Sequence, residues 1–410
     1  MNKRLTGLMV AMVMALGLLV TPTIHAQPDS LKIWVPSGPE HNWMKEMAKN
    51  YESKTGVNIK IAVVEELDQG QRLSLDGPAG KGADVVAWPH DKLGKSIKQG
   101  LITPIDQFLP DGYGENNFSK NPIKSLTYNG RLYGLPYAFQ TTALIYNKDK
   151  YNNIPDTMMG LMKKAKGMTD ERQNEYGLLY KISDFYFSGG VFFGYGSYVF
   201  KEEPSGGYNI NDIGLGGKPA IKAAKFLKKF RDMGLIPKGT TGQTANGLFM
   251  EGKSGAIIMG PWMLKDFKDA GVNMGVAPLP KLPNGNYPEQ FTGTKGYYVS
   301  EFSNHKQAAA NFIKFLTNAE NSMDHYKSNN IIAPHKEVVT SSTFKNDDLL
   351  YPFFKQAKRG KVMPSVPAMS TVWNPVNNAI NFIINGKATA KQIMPMTEKQ
   401  IKQGIQLMGN

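Results

Sequence analysis

In GADVVAWPHDKLG, residues 82–94, Trp88 and Asp91 stand three positions apart at the end of a run, Ala83 to Ala87, that reads as a buried strand. In open α/β sheets ligands gather at the carboxyl ends of strands. A flat apolar ring beside a hydrogen-bond acceptor suits a ligand with both C–H faces and hydroxyls, which is the chemistry of a carbohydrate. Further aromatic residues recur where elements start or stop: DFYF (Asp184 to Phe187), GPW with Trp262, and MSTVW with Trp373. Any one tryptophan is more often core than site. Four such positions, several with a polar neighbour, favour a stacking cleft.

Other chemistries find less support. The six histidines are scattered, without the paired spacing that a hydrolytic metal needs, and His90 beside Asp91 reads as a structural hydrogen-bonding residue. No metal or cofactor is expected. GLGGKP at 214–219 is a glycine-rich turn with neither a phosphate-binding nor a dinucleotide spacing. Without cysteine there is no disulfide, thiolate metal site or cysteine nucleophile. A secreted glycoside hydrolase acting on α-glucans is the enzymatic alternative, with Asp91, Asp184 and Glu289 as candidate carboxylates, although none sits in a catalytic motif.

The elements that must hold these residues follow from periodicity. LKIWV and VNIKIAVV read as strands around a helix with Met44, Met47, Ala48 and Tyr51 on its buried face and Gly56 at its end. With the Trp88 strand and a helix after Lys92, this βαβ order predicts a mostly parallel sheet. Asn129-Gly130 signals a hairpin, and the extended run through Phe139 and Ile145 leaves the first lobe. Strands at SGAIIMGPW and VNMGVAPLP come later. Asn304 and Gln307 have capping-box spacing, and Pro395 predicts a break in the last helix.

A chain of 410 residues predicts two domains of roughly 150–200 residues each. Lys3 and Arg4 before the apolar run Leu8 to Val20, ending at Ala26, form a secretory signal peptide cleaved near Ala26. With no lipid-bearing cysteine, a soluble periplasmic protein is expected. The net charge of +14 brings a basic adhesin or nucleic-acid binder into view. However, Lys222, Lys225 and Lys229 lie opposite the apolar face Ala223, Phe226, Leu227 and Phe230, as on a solvated helix, so no nucleic acid is expected.

The chain resembles the periplasmic maltose/maltodextrin-binding proteins, the solute-binding subunits of ABC sugar importers. LKIWV, GADVVAWPHDKLG with SIKQGLITPI, NGRLYGLPYAFQTTALIYNKD, YFSGG, FMEGKSGAIIMGPW and GKVMPSVPAMSTVW carry the resemblance in order over nearly the whole mature chain. It implies an α/β fold of two lobes with a central cleft. The N-terminal lobe would be 27–139 plus 295–331 and the C-terminal lobe 143–291 plus 335–410, with crossovers at 140–142, 292–294 and 332–334. It also implies recognition without catalysis: a monomer that captures a maltodextrin or cyclodextrin and delivers it to a membrane permease by closing its cleft. By the same resemblance Trp88, Asp91 and Lys92 face the sugar from the first lobe, Gln140 from the hinge, and Asp184, Phe185, Tyr186, Phe187, Trp262, Met363, Trp373 and Asn377 from the second, with Glu66 loosely matched. Gly38 and Pro39 replace a charged family pair, and Phe185 and Asn377 also depart from the family pattern. These changes leave linear and cyclic glucans both open.

Overall fold

The computed structural model describes residues 28–203 and 207–409; the expected signal peptide lies outside them. Three strands, Ser30–Val35, Asn58–Val63 and Val85–Pro89, pair in parallel with Ser30–Val35 in the middle, as the βαβ reading predicts. Between the first two runs the helix Pro39–Thr55, which buries Met44, Met47, Ala48 and Tyr51 and ends at left-handed Gly56. The hairpin is present too: Tyr128 pairs with Arg131, and Asn129 and Gly130 both take positive φ, 48° and 75°, as a two-residue turn of this hand requires.

The strand Phe291–Val299 joins the two halves of the molecule. Lys295 to Val299 run antiparallel to Val85–Pro89, Gly293 to Tyr298 run antiparallel to Gly134–Gln140, and Phe291 and Thr292 pair in parallel with Lys361 and Val362. A second, antiparallel sheet has Ala143–Asn147 between Ala256–Met259 and Met274–Ala277. The apolar interior divides accordingly. One cluster draws on residues from Leu31 to Ala138 and from Tyr297 to Leu316. A second is built around Leu144, Phe185, Phe230 and Ile380, and a third around Ile145, Phe267 and Phe353. Phe226, Leu227 and Phe230 are at most 2% exposed, each contributing about 1.5–3 kcal/mol by burial, while Lys222, Lys225 and Lys229 face solvent.

Two expectations fail. The helix Lys306–Leu316 has no side-chain cap bond at its start; Gln307 donates instead to the Phe108 carbonyl and to Asn311, and Ser303 receives the His305 N–H. The last helix, Ala390–Gly409, runs unbroken through Pro395. Proline there lies beyond the first turn and forfeits the backbone bond that an N–H at this position would give to the Lys391 carbonyl, and buried Met394 and Ile401 hold the helix down.

His90, just after the Trp88 strand, is fully buried. Its Nδ1 accepts from the Thr294 N–H at 2.9 Å, so its Nε2–H donates to the Met363 carbonyl at 2.7 Å. Burial disfavours the charged ring and lowers its pKa to about 4, against a smaller upward pull from the backbone bonds. The folded state therefore binds fewer protons than the unfolded one between about pH 6.5 and 4, so this group's stabilisation is present above that window and lost as pH falls through it. A comparison of urea stabilities at pH 7 and 4.5 should find wild type losing more than His90→Gln, by up to roughly 3 kcal/mol. Equal losses would show that the ring is not held neutral.

Candidate functional site

A cavity of about 390 Å³ opens between the two halves. Glu66, Leu67, Pro89 and Asp91 line it from the parallel-sheet side, Gln140, Gly293, Thr294 and Lys295 from the connecting strands, and Tyr186, Trp262, Met363 and Trp373 from the far side. Rings thus face carboxylates and a lysine across one space.

The aromatic wall has local causes. Helix Phe185–Gly194 is capped by Asp184, whose Oδ1 accepts from the Tyr186 N–H at 3.0 Å. Satisfying an orphan donor in this way fixes the helix start, and hence the direction of Tyr186. The Tyr186 ring lies 6.2 Å from that of Trp262 and parallels Phe291 within 10°. Trp262 is 38% exposed and folds back over Gly260, where a Cβ would come within 1.9 Å of its ring. The GPW sequence therefore needs glycine at its first position. Trp373 opens the helix Trp373–Ile384, with its ring 5.6 Å from Phe291.

The polar wall is charged on both signs. Burial pushes the Asp91 carboxyl up to about 6, Lys92 pulling it down and Glu66 pushing it further up. Glu66 pairs with Lys295 at 2.5 Å and accepts from the Tyr137 hydroxyl at 3.2 Å. Behind them, burial pushes the Glu40 carboxyl up, but His325 and then Lys295 and Tyr297 outweigh it and hold the group below its ordinary value.

Seven of the residues singled out from sequence therefore meet around this cavity: Glu66, Asp91, Gln140, Tyr186, Trp262, Met363 and Trp373. The others take different positions. Trp88 is 0% exposed and stacks on Tyr298 at 4.9 Å; it lies opposite Gly296 in the sheet and presents no face to a ligand. Phe185 is likewise 0% exposed, packed edge-on against Phe291 and beneath Trp373. The Asn377 side chain accepts from the Phe185 N–H at 2.7 Å, a structural task. Asp184 is occupied by its cap and by Lys181 at 3.1 Å. Lys92 reaches the Leu67 carbonyl at 2.6 Å, while Phe187 packs between two apolar clusters. Of the hydrolase candidates only Asp91 lines the cavity, since Glu289 pairs with Lys361. Sequence reasoning missed Lys295 and Thr294. The available signal was a lysine inside the otherwise uncharged FTGTKGYYV run.

Comparison with known proteins gives a consistent result. The sequence profile of the family described as "Bacterial extracellular solute-binding protein" matches residues 46–352. The galactooligosaccharide-binding protein of Bacillus subtilis (strain 168) is 32% identical, covering 92% of this chain and 90% of its own. The maltodextrin-binding protein MdxE of the same strain is 28% identical over 97% of both. A crystal structure of a cyclo/maltodextrin-binding protein complexed with maltotetraose superposes with a TM-score of 0.85 at 39% identity, covering 94% of this chain and 99% of that one.

The raised Asp91 pKa has the opposite sign to that of His90. Because the folded state holds this proton more tightly than the unfolded one, acidification from about pH 6 to 4 stabilises wild type relative to Asp91→Asn, by roughly 2–3 kcal/mol. Parallel stability curves for the two proteins over that range would contradict a desolvated carboxyl.

Proposed function

The chain belongs to the bacterial extracellular solute-binding protein family, and on that premise we propose that it captures α-1,4-glucans and hands them to the membrane permease of an ABC importer. The observation that carries this reading is the single cavity in which Tyr186, Trp262 and Trp373 oppose Asp91, Glu66, Lys295 and Gln140. Ring faces supply stacking and apolar burial to the C–H faces of glucose units. Charged and amide groups bond the outward hydroxyls, most strongly where the partner is ionised.

Capture would couple to shape. On the expected lobe boundaries the cavity lies between two bodies joined at 140–142, 292–294 and 332–334; one apolar cluster falls wholly in the first body and one wholly in the second, while the third spans the junction through Phe139 and Tyr326. A ligand touching both walls favours the closed arrangement by its differential affinity for it, and the permease reads that closed shape. The apolar leader supports export from the cytoplasm, and the cysteine-free sequence supplies no thiol to carry a lipid. Among the described residues no helix is long and apolar enough to cross a membrane.

The case for a cyclic ligand rested on Gly38, Pro39, Phe185 and Asn377. With Phe185 buried and Asn377 bonded to its backbone, two of those four cues no longer concern the ligand, so linear maltodextrin is the favoured form. Calorimetry with maltotriose, the cyclodextrins and a galactooligosaccharide tests the choice: linear maltodextrin should bind tightest, and preference for either other sugar would replace this reading. Trp262→Ala and Trp373→Ala should each weaken maltotriose binding at least tenfold, about 1.4 kcal/mol, and unchanged affinity in both would remove the aromatic wall from the site. Maltoheptaose should be recovered at full length after incubation, whereas shortening would restore the hydrolase.

A further inference from the structure

We infer that Lys295 and Glu66 form one polar subsite that reads a vicinal pair of sugar hydroxyls, an assignment that rests on the glucan-binding reading. The pair lines the cavity with side chains only 22% and 12% exposed, so it is neither a surface ion pair nor a buried one cut off from ligand. An ammonium has three donors, and Lys295 gives one to Glu66 Oε2. Glu66 Oε1 takes the Tyr137 hydroxyl. Two donors on the lysine and a second lone pair on each carboxylate oxygen remain unused. Adjacent hydroxyls on a pyranose, each both donor and acceptor, match that juxtaposition, because one hydroxyl accepts from the ammonium while its neighbour donates to the carboxylate.

The backbone is shaped to hold the pair. Opposite Lys295 the register between Gly134–Gln140 and the connecting strand slips: Lys295 faces Ala138 while Gly296 faces Pro136, leaving Tyr137 as the extra residue. A bulge of this kind re-aims a side chain, and Tyr137 carries its hydroxyl to Glu66 with its ring stacked on Tyr297 at 4.3 Å. Tyr297 in turn donates to Glu40 at 3.0 Å. Glu40 also accepts from Asn329 at 3.0 Å and bonds His325 Nε2 at 2.8 Å. Two residues before Lys295, on the same strand face, Gly293 leaves space free: a Cβ there would meet nothing nearer than Met363 Cε and the Tyr186 hydroxyl, both at 3.9 Å. Thr294, between them, has a buried hydroxyl without a partner and lines the same cavity.

The test is calorimetry with maltotriose on wild type, Lys295→Met, Glu66→Gln and the double variant, with Trp262→Ala alongside. Each polar variant should lose about tenfold or more, as expected for hydrogen bonds to charged groups. The double should be within about threefold of the worse single, because the two groups act as a unit. Among singly deoxygenated maltotrioses, the one lacking the hydroxyl that donates to Glu66 should bind wild type and Glu66→Gln equally, a discrimination that a merely structural glutamate would not produce. Gly293→Leu, whose side chain enters open space, should block maltotriose without lowering Tm. Wild-type affinity in Lys295→Met, with Trp262→Ala still impaired, overturns the subsite and leaves the glucan reading standing. Absence of maltotriose binding in wild type overturns both.

Discussion

A neutral imidazole at the floor of the cleft ties together the three segments on which the site depends. His90 follows the Val85–Pro89 strand directly, receives the Thr294 N–H of the connecting strand, and donates to Met363 just beyond Lys361–Val362. Each of those neighbours brings a cavity residue with it: Asp91 follows His90, Lys295 follows Thr294, and Met363 lines the cavity itself. Only the neutral tautomer with its proton on Nε2 serves, since a protonated ring would turn two donors toward each other at Nδ1 and bury a charge. The geometry of the ligand wall is thus fixed from beneath by a group that touches no ligand.

The aromatic wall is built on the same plan, with hidden residues orienting displayed ones. Phe185 lies under Trp373 and against Phe291, and its backbone N–H is held by Asn377 from a helix 192 residues away in sequence. Asp184 fixes the first turn so that Tyr186 emerges into the cavity, and the missing Cβ of Gly260 lets the Trp262 ring settle. Residues of like type therefore divide between support and display. DFYF contains both, with Phe185 at 0% exposure beside a tyrosine that lines the site.

That division marks where the sequence stops being legible. Periodicity located the parallel strands, the amphipathic helices and the Asn129-Gly130 hairpin, because those signals are local and repeat along the chain. Trp88 and Phe185 were read as ligand platforms because ring type carries no record of which face the sheet or the neighbouring helix covers. Lys295 escaped notice for a related reason: its partner Glu66 is 229 residues distant, and the bulge that turns Tyr137 toward them exists only once two strands pair. The unbroken helix through Pro395 adds a third case, in which burial of Met394 and Ile401 outweighs a local penalty.

Charge follows the same separation of support from site. The chain carries +14 overall, yet the cavity and the shell behind it set Glu66, Asp91 and Glu40 against Lys295 and Lys92, so the excess of positive charge lies elsewhere. Part of it lies on faces such as that of the Lys218–Asp232 helix, where Lys222, Lys225 and Lys229 point to solvent above a fully apolar underside. A ligand attracted by net charge would meet those faces and not the cleft. Inside the cavity Glu66 and Lys295 are already paired, and the burial that makes Asp91 reluctant to ionise would penalise a charged guest in the same way. An uncharged, hydroxyl-rich guest escapes that penalty, because its hydroxyls bond the paired charges without adding one and its C–H faces lie on the rings. The electrostatics of the cleft thus select for the neutrality of the ligand, and the aromatic wall selects for its shape.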